Sequence, residues 1–402
     1  MSFDPTSNIQ DYLVFGEYGD VNPSITDSST YTFMSPEKME ELFDHEIEGC
    51  FLYSRHWNPI NKNLSDALAR LEGSELAQVM SSGMGAISTT IFQLCSAGDE
   101  VISSHTIYGG TYAFFKNLLP RFGITVNFVN MNDVEEVKKA ITSKTKVIYC
   151  ESVSNPLLEV ADLPALSSIA KEKNVKLVVD NTFSPLTIAP IQHGADIVIH
   201  SLTKFINGTS DCVAGCVCST ADFVHELLDI NSGTSMLMGP VLDSHRAASI
   251  LKNLHSLHIR IQQHSRNAMY LAENLEKLGL KVFYPGLKSH PFHERMDKLR
   301  NPDFCFGGML AIDVGTSEMA DKLMTKMQDE KVGYLAVSLG YFKTLFSSPG
   351  HSTSSEIPDE ERKEIGISEG LVRISIGLDH NIQRTLERIK MCLQDVGHLN
   401  KS

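Results

Sequence analysis

From about residue 63 to 220, short runs rich in Val and Ile alternate with stretches whose apolar residues recur every third or fourth position, and this rhythm constrains the fold more than any other feature. Runs apolar on both faces belong to a parallel sheet covered by helices. LAQVM (76–80), EVIS (100–103), TVNFV (125–129), KVIYC (146–150), KLVVD (176–180), DIVIH (196–200) and CVAGCVC (212–218) read as its strands. AISTTIFQLC, YAFFKNLL, VEEVKKAI and LSSIAKEK read as helices between them. The expected fold is α/β, a mostly parallel seven-stranded sheet between helices. Residues 241–279 hold one periodic stretch, a long helix or two. Beyond it, strands (MLAIDV, LVRISI) mix with helices (MADKLMTKMQ, IQRTLERIKMCLQDV), the pattern of a smaller α+β C-terminal domain. The expected division is an N-terminal arm over 1–62, a first domain over 63–250 and a second over 251–402.

With 402 residues, 42% hydrophobic and 21% charged, the chain can bury a large core without staples. A net charge of -14 works against binding a phosphate backbone, which needs clustered Lys and Arg. No run approaches the roughly 18 apolar residues of a membrane span, and the start MSFDPTSNIQ has neither a basic nor an apolar signal region. The expectation is a cytoplasmic protein with no nucleic-acid or membrane partner. Its 8 cysteines are scattered through apolar runs, which suits reduced core thiols. Cys212, Cys216 and Cys218 lie in a segment that alternates like a strand and lacks a fourth ligand at zinc spacing, so no metal is expected.

Four segments carry chemistry, and each ends a strand. In IVIHSLTKFINGTSDCVAG a strand ends at His200, and Ser201, Thr203 and Lys204 follow in a polar loop. A lysine at the carboxyl end of a sheet strand is placed as a nucleophile toward an aldehyde, with two hydroxyls beside it for a phosphate. Taken singly, Lys204 equally fits a solvated loop lysine. In KLVVDNTFSP an apolar strand ends in Asp180, 24 residues earlier (204 − 180). A carboxylate there needs a partner, and a protonated pyridine nitrogen would serve, making the ring an electron sink. Alone, Asp180 also fits a helix cap. MSSGMGAIST runs strand, Gly turn, helix, so the N–H groups of Gly83 and Met84 can face an anion. As a dinucleotide fingerprint it fails, having no third glycine in place. In SSHTIYGGTY, Tyr108 precedes two glycines, where its ring could stack on an aromatic cofactor and its hydroxyl could carry a proton to or from substrate. An aldehyde-binding lysine, a buried carboxylate, a phosphate cradle and a stacking ring on one sheet edge are what pyridoxal phosphate requires.

The segments closely resemble those of the trans-sulfuration family of Cys/Met-metabolism pyridoxal-phosphate enzymes. YSRHWNP, SSGMGA, IYGGT, SNP, VVDNTF, SLTK and VRISIG stand in the family's order between residues 53 and 377. The resemblance implies the type I transferase fold of these enzymes, related to aspartate aminotransferase, with residues 63–250 holding the cofactor. It implies Lys204 as the Schiff-base lysine, Asp180 on the pyridine nitrogen, Tyr108 on the ring, and Gly83, Met84, Ser201 and Thr203 on the phosphate. Asn155 would sit near the phenolic oxygen and Thr182 beside the ring, while Arg373, helped by Ser338, would take the substrate carboxylate. Tyr53 and Arg55 would complete the phosphate site of a neighbouring subunit, in a homotetramer built as a dimer of dimers with shared active sites.

The implied activity is carbon–sulfur lysis of a small sulfur-containing amino acid. SLGY (338–341), STSSE (352–356) and YPGL (284–287) are similar to plant-type methionine γ-lyases. Two positions depart from relatives: Gly110 stands where bacterial and protozoal methionine γ-lyases have Cys, and Lys343 where cystathionine γ-lyases commonly have an acidic residue. If Lys343 faces the site, it disfavours the distal ammonium of cystathionine; otherwise it is a solvated side chain. Cystathionine β- or γ-lysis and an O-acetylhomoserine sulfhydrylase activity are the alternatives within the family. A structural, non-enzymatic cofactor-binding oligomer is the alternative outside it, and would leave Tyr108, Lys204 and Arg373 without a task.

Overall fold

A computed structural model describes residues 3–44, 47, 49–351, 362 and 366–400. Seven strands form one sheet: β1 (Leu76–Met80), β2 (Glu100–Ser104), β3 (Thr125–Val129), β4 (Thr145–Glu151), β5 (Lys176–Asp180), β6 (Ile197–His200) and β7 (Gly215–Ser219). Their order is β1-β7-β6-β5-β4-β2-β3, and every pairing is parallel except the two made by β7. The sheet is the expected one, mostly parallel and packed between helices. β7 starts three residues later than its apolar run, because residues 212–214 belong to the loop entering it.

Period-two alternation decides which side chains meet which helices. On β5 and β6, Leu177, Val179 and Val198 point to the core shared with helices Pro59–Glu72, Leu163–Lys173 and Ser244–Leu254. Val178, Ile197 and Ile199 point to the opposite core, against helix Gly83–Leu94, Phe114, Phe115, Phe223 and Leu227. Extending the alternation sends Glu151 and Asp180 to the second face and His200 to the first. YAFFKNLL is not one helix but an α turn (Gly109–Ala113), a π turn (Phe114–Leu118) and a 3₁₀ turn (Leu119–Phe122). Phe114 and Phe115 are both buried, which consecutive residues of one amphipathic α-helix do poorly; the wider turn accommodates them.

The stretch 241–279 is two helices, Ser244–Leu254 and Leu257–Lys277. A second sheet follows, β8 (Lys281–Phe283), β9 (Met309–Asp313), β10 (Gly333–Leu335), β11 (Thr344–Ser347) and β12 (Leu371–Ser375), ordered β10-β11-β12-β9-β8. Val372 and Ile374 face the core under helices Leu257–Lys277, Ser317–Asp329 and Ile382–Asp395. Arg373, between them, is therefore turned to the other side, where Leu371 and Ala311 pack on Leu157. Helix Pro59–Glu72 runs across residue 62 and packs on the first sheet. No described helix is long and apolar enough to cross a membrane.

Candidate active site

β1, β2, β4, β5 and β6 all end at one edge of the first sheet, and β7, running the other way, begins there. A cleft of about 230 Å³ opens at this edge, where ligands of open α/β sheets bind. Among the residues that line it are Gly83, Met84, Tyr108, Asn155, Asp180, Thr182, Ser201, Thr203, Lys204 and Arg373. Residues up to 290 apart in sequence (373 − 83) thus converge on one cavity.

At one end, helix Gly83–Leu94 presents its first turn. Ser82 caps it by accepting from the Gly85 N–H at 2.9 Å. Gly83 lies so close to Ser201 that a Cβ would sit 2.9 Å from that residue's Cβ, and Gly83 and Met84 both line the cleft at the helix start, where anions bind. Thr182 Oγ1 accepts from Ser201 N–H at 2.8 Å, fixing the loop before Lys204. The Thr203 hydroxyl accepts from Ala214 N–H (2.9 Å) and donates to Ala214 O (3.3 Å). It ties the loop to the residue that precedes β7.

Lys204 donates to Ser338 Oγ at 3.3 Å. Burial, reinforced by the Arg373 charge, lowers its ammonium to about 8. Asp180 is buried and accepts from Thr182 N–H (2.9 Å) and from the Tyr149 hydroxyl (3.4 Å), two neutral donors. Burial pushes its carboxyl up. Arg373 is also buried; its guanidinium donates to Asn155 Oδ1 (3.2 Å) and Ser347 Oγ (3.4 Å). Neither contact is a carboxylate, so the bidentate fork keeps capacity for one. The Tyr108 ring folds over Gly110, where an added Cβ would meet its Cε1 at 2.5 Å.

The sequence reading stopped the fourth strand at residue 150 and missed Glu151. It lines the cleft, pairs in register with Asp180, and accepts from Tyr108 N–H (2.7 Å) and Asn155 N–H (2.9 Å). Burial, then the Asp180 charge, raises its carboxyl to about 8. Its signal was the one that identified Asp180, an acid ending an apolar strand. Also missed were Phe183, Val213, Val337 and Leu339, which make the cleft's apolar wall. Nothing in their local pattern distinguishes them from core residues.

Two expected residues lie elsewhere. Tyr53 is 41% exposed, and Arg55 donates to Met236 O at 2.8 Å; neither lines this cleft. Lys343 is half-buried and outside the lining as well. STSSE (352–356) falls outside the described residues. Among the described residues no group of His, Cys, Asp and Glu could hold a metal ion.

The set fits pyridoxal phosphate on structural grounds. A buried carboxylate without a cationic hydrogen-bond partner suits a pyridinium, the glycine-bounded helix start suits a phosphate, and an amine of lowered basicity suits an aldehyde.

The family model for Cys/Met metabolism PLP-dependent enzymes matches residues 8–388. The chain is 46% identical to methionine gamma-lyase of Arabidopsis thaliana over 369 residues, covering 90% of this chain and 84% of that one. It is 37% identical to cystathionine gamma-lyase of Bacillus subtilis (strain 168) over 348 residues, 86% and 89% of the two chains. A Campylobacter jejuni crystal structure holding N'-pyridoxyl-lysine-5'-monophosphate superposes with a TM-score of 0.90 at 27% identity, over 98% of this chain and 100% of that one.

Proposed function

The chain belongs to the Cys/Met metabolism PLP-dependent enzyme family and is a PLP-dependent carbon–sulfur lyase, and from that premise we propose that it converts methionine and water to 2-oxobutanoate, methanethiol and ammonia. One observation carries this choice. The charged side chains lining the cleft are Glu151, Asp180, Lys204 and Arg373; the last three have tasks at the cofactor or at an α-carboxylate, and both oxygens of Glu151 are taken by backbone N–H groups. The remaining wall at Phe183, Val213, Val337 and Leu339 is apolar. A thioether methyl is at home there, whereas the second ammonium and carboxylate of cystathionine would be desolvated without partners.

Bound pyridoxal phosphate supplies the covalent link to the substrate amine and the electron sink that makes its Cα proton acidic. The chain's own residues do the rest. Asp180 keeps the ring nitrogen protonated, and Gly83, Met84, Ser201 and Thr203 hold the phosphate. Asn155 and Thr182 flank the ring. Arg373 takes the substrate carboxylate, with Ser338 close by. Lys204, its basicity lowered to about 8, is the base for the Cα proton. Tyr108 delivers a proton to the departing sulfur.

Tyr53 and Arg55 act in a neighbouring copy, completing its phosphate site, and the assembly is a homotetramer of two such dimers. The exposure of Phe15, Tyr18, Val21 and Met34 on the arm supports a role in subunit contact. The enzyme is placed in the cytoplasm, a setting that suits eight free cysteines.

Purified protein with pyridoxal phosphate, offered methionine, cystathionine and cysteine separately, tests the proposal by mass spectrometry. Methionine is expected to give 2-oxobutanoate and methanethiol. Pyruvate from cystathionine with methionine untouched would replace the reading with a β-lyase.

A further inference from the structure

Glu151 is the one charged group lining the cleft with no role in the scheme above. Its position is set by the sheet. The last residue of β4 lies in register with Asp180, the last residue of β5, so both carboxylates leave the same edge on the same face. Each oxygen of Glu151 accepts a different backbone N–H: Oε1 from Tyr108 at 2.7 Å and Oε2 from Asn155 at 2.9 Å. Asn155 in turn accepts from Arg373 at 3.2 Å. One buried carboxylate thus ties the segment carrying the ring-stacking tyrosine to the segment that anchors the substrate-binding arginine.

We infer that Glu151 is a positioning residue: its carboxylate clamps Tyr108 and Asn155 against the cofactor, and the clamp tightens when a cation settles beside Asp180. The inference rests on the reading that pyridoxal phosphate occupies this cleft with its ring nitrogen at Asp180. The physical argument is one of charge. The ionised form accepts two N–H groups, but burial and the neighbouring Asp180 charge oppose ionisation. The charges facing Glu151 are Asp180 from β5 and Arg373 from β12. A pyridinium paired to Asp180 would offset that repulsion, leaving burial as the remaining opposition, and so would shift Glu151 toward the ionised form that holds both N–H groups. Loading the cofactor and aligning the substrate site become one event.

Glu151→Gln tests this because an amide has the same shape but only one accepting oxygen, so its NH₂ must face one of the two N–H donors. The variant is expected to bind pyridoxal phosphate about tenfold or more weakly, since a charged acceptor loses one or both bonds. The visible circular dichroism of bound cofactor should weaken as Tyr108 loses register. KM for methionine should rise more than kcat falls, because Asn155 no longer holds Arg373, and Glu151→Asp should recover part of each loss. The cofactor-free variant should still unfold cooperatively, and below pH 4.5, where Glu151 is protonated folded and unfolded alike, its melting temperature should match wild type. Unchanged affinity, dichroism and KM in Glu151→Gln would reduce Glu151 to a structural acid.

Should the variant fail to fold, hydrogen exchange on the wild type decides. Cofactor is expected to protect the Tyr108 and Asn155 amides, and formation of the visible band with both amides unchanged overturns the clamp. Failure of the underlying reading looks different: Lys204→Ala would then keep the wild-type visible band.

Discussion

Two acidic clusters lie buried on opposite faces of the first sheet, and they solve the cost of burial in opposite ways. On the face packed by helix Pro59–Glu72, His200 Nε2 meets Glu72 Oε1 at 2.6 Å, both side chains being 1% exposed. Asn181 donates to the same carboxylate oxygen at 3.1 Å. Burial alone would lower the His200 imidazolium, but the Glu72 carboxylate outweighs it and holds the ring at about 9. On the other face, Glu151 and Asp180 stand side by side with the same sign of charge and only neutral hydrogen-bond donors. The first cluster pairs its opposite charges directly, though Glu72 Oε2 and His200 Nδ1 are left without a hydrogen-bond partner; in the second, the charges of Arg373 and His200 act on Glu151 and Asp180 without a hydrogen bond to either. A strand end bearing like charges at a cleft is therefore informative in a way that a paired ion is not.

The largest break in this comparison comes from Asp180→Asn, which removes the acceptor of the ring-nitrogen proton. Leaving a buried charge without its partner costs about 3–5 kcal/mol, so turnover should fall roughly 10²–10⁴-fold while folding is retained. Steady-state kinetics on the loaded variant checks this; a drop of less than about threefold would remove Asp180 from the mechanism. The paired cluster should answer the other way. Glu72→Gln strands a buried imidazolium and is expected to cost about 3 kcal/mol in chemical denaturation, with cofactor affinity nearly unchanged. A large loss of affinity with full stability would erase the distinction between the clusters.

The smallest effects, in pH dependence, sharpen it most. His200 has a folded value near 9 against an ordinary 6.5, so its stabilisation is complete below 6.5 and is lost as pH rises through 9. Glu151 has a folded value near 8 against 4.5, so the cofactor-free protein holds its proton and loses stability as pH rises from 4.5 to 8. Denaturation midpoints of the cofactor-free protein should decline across both windows. Glu151→Gln should flatten the lower window alone, and Glu72→Gln the upper one. A single variant flattening both would mean that the clusters titrate as one.

Much of this was legible beforehand, for physical reasons that differ by region. The inner strands β5 and β6 are buried on both faces and so are continuously apolar, which is why Asp180 and Lys204 stand out at or beyond their ends. Glu151 has the same signature and was lost to a strand boundary one residue short. In the second sheet, β8 and β10 have three residues each, too few for a period to register. Helix Pro59–Glu72 carries an Asn58 cap, a Pro at its start and apolar residues at 60, 64, 67, 68 and 71, signals that an arm boundary at 62 divided. The apolar wall was illegible in principle, since Phe183, Val213 and Val337 become neighbours only through tertiary packing. Tyr53 and Arg55 lie outside the cleft of their own chain, and the proposed role in a neighbouring copy follows from the family resemblance and not from any local pattern.

The reversed direction of β7 has a consequence for how such a site can change. Because β6 ends and β7 begins at the same edge, the loop over residues 201–214 leaves the sheet and returns to it at one level, with Lys204 near its exit and Val213 near its return. Thr203 staples it to Ala214 at its base. Its exposed stretch, Thr209 to Asp211, can change in length without shifting the register of either strand, whereas Phe205, Ile206 and Asn207 are buried and held by Arg260 and Asn253. Scaffold and reactivity are separately heritable at this point, so a lineage can revise what surrounds the lysine while leaving the lysine where it is.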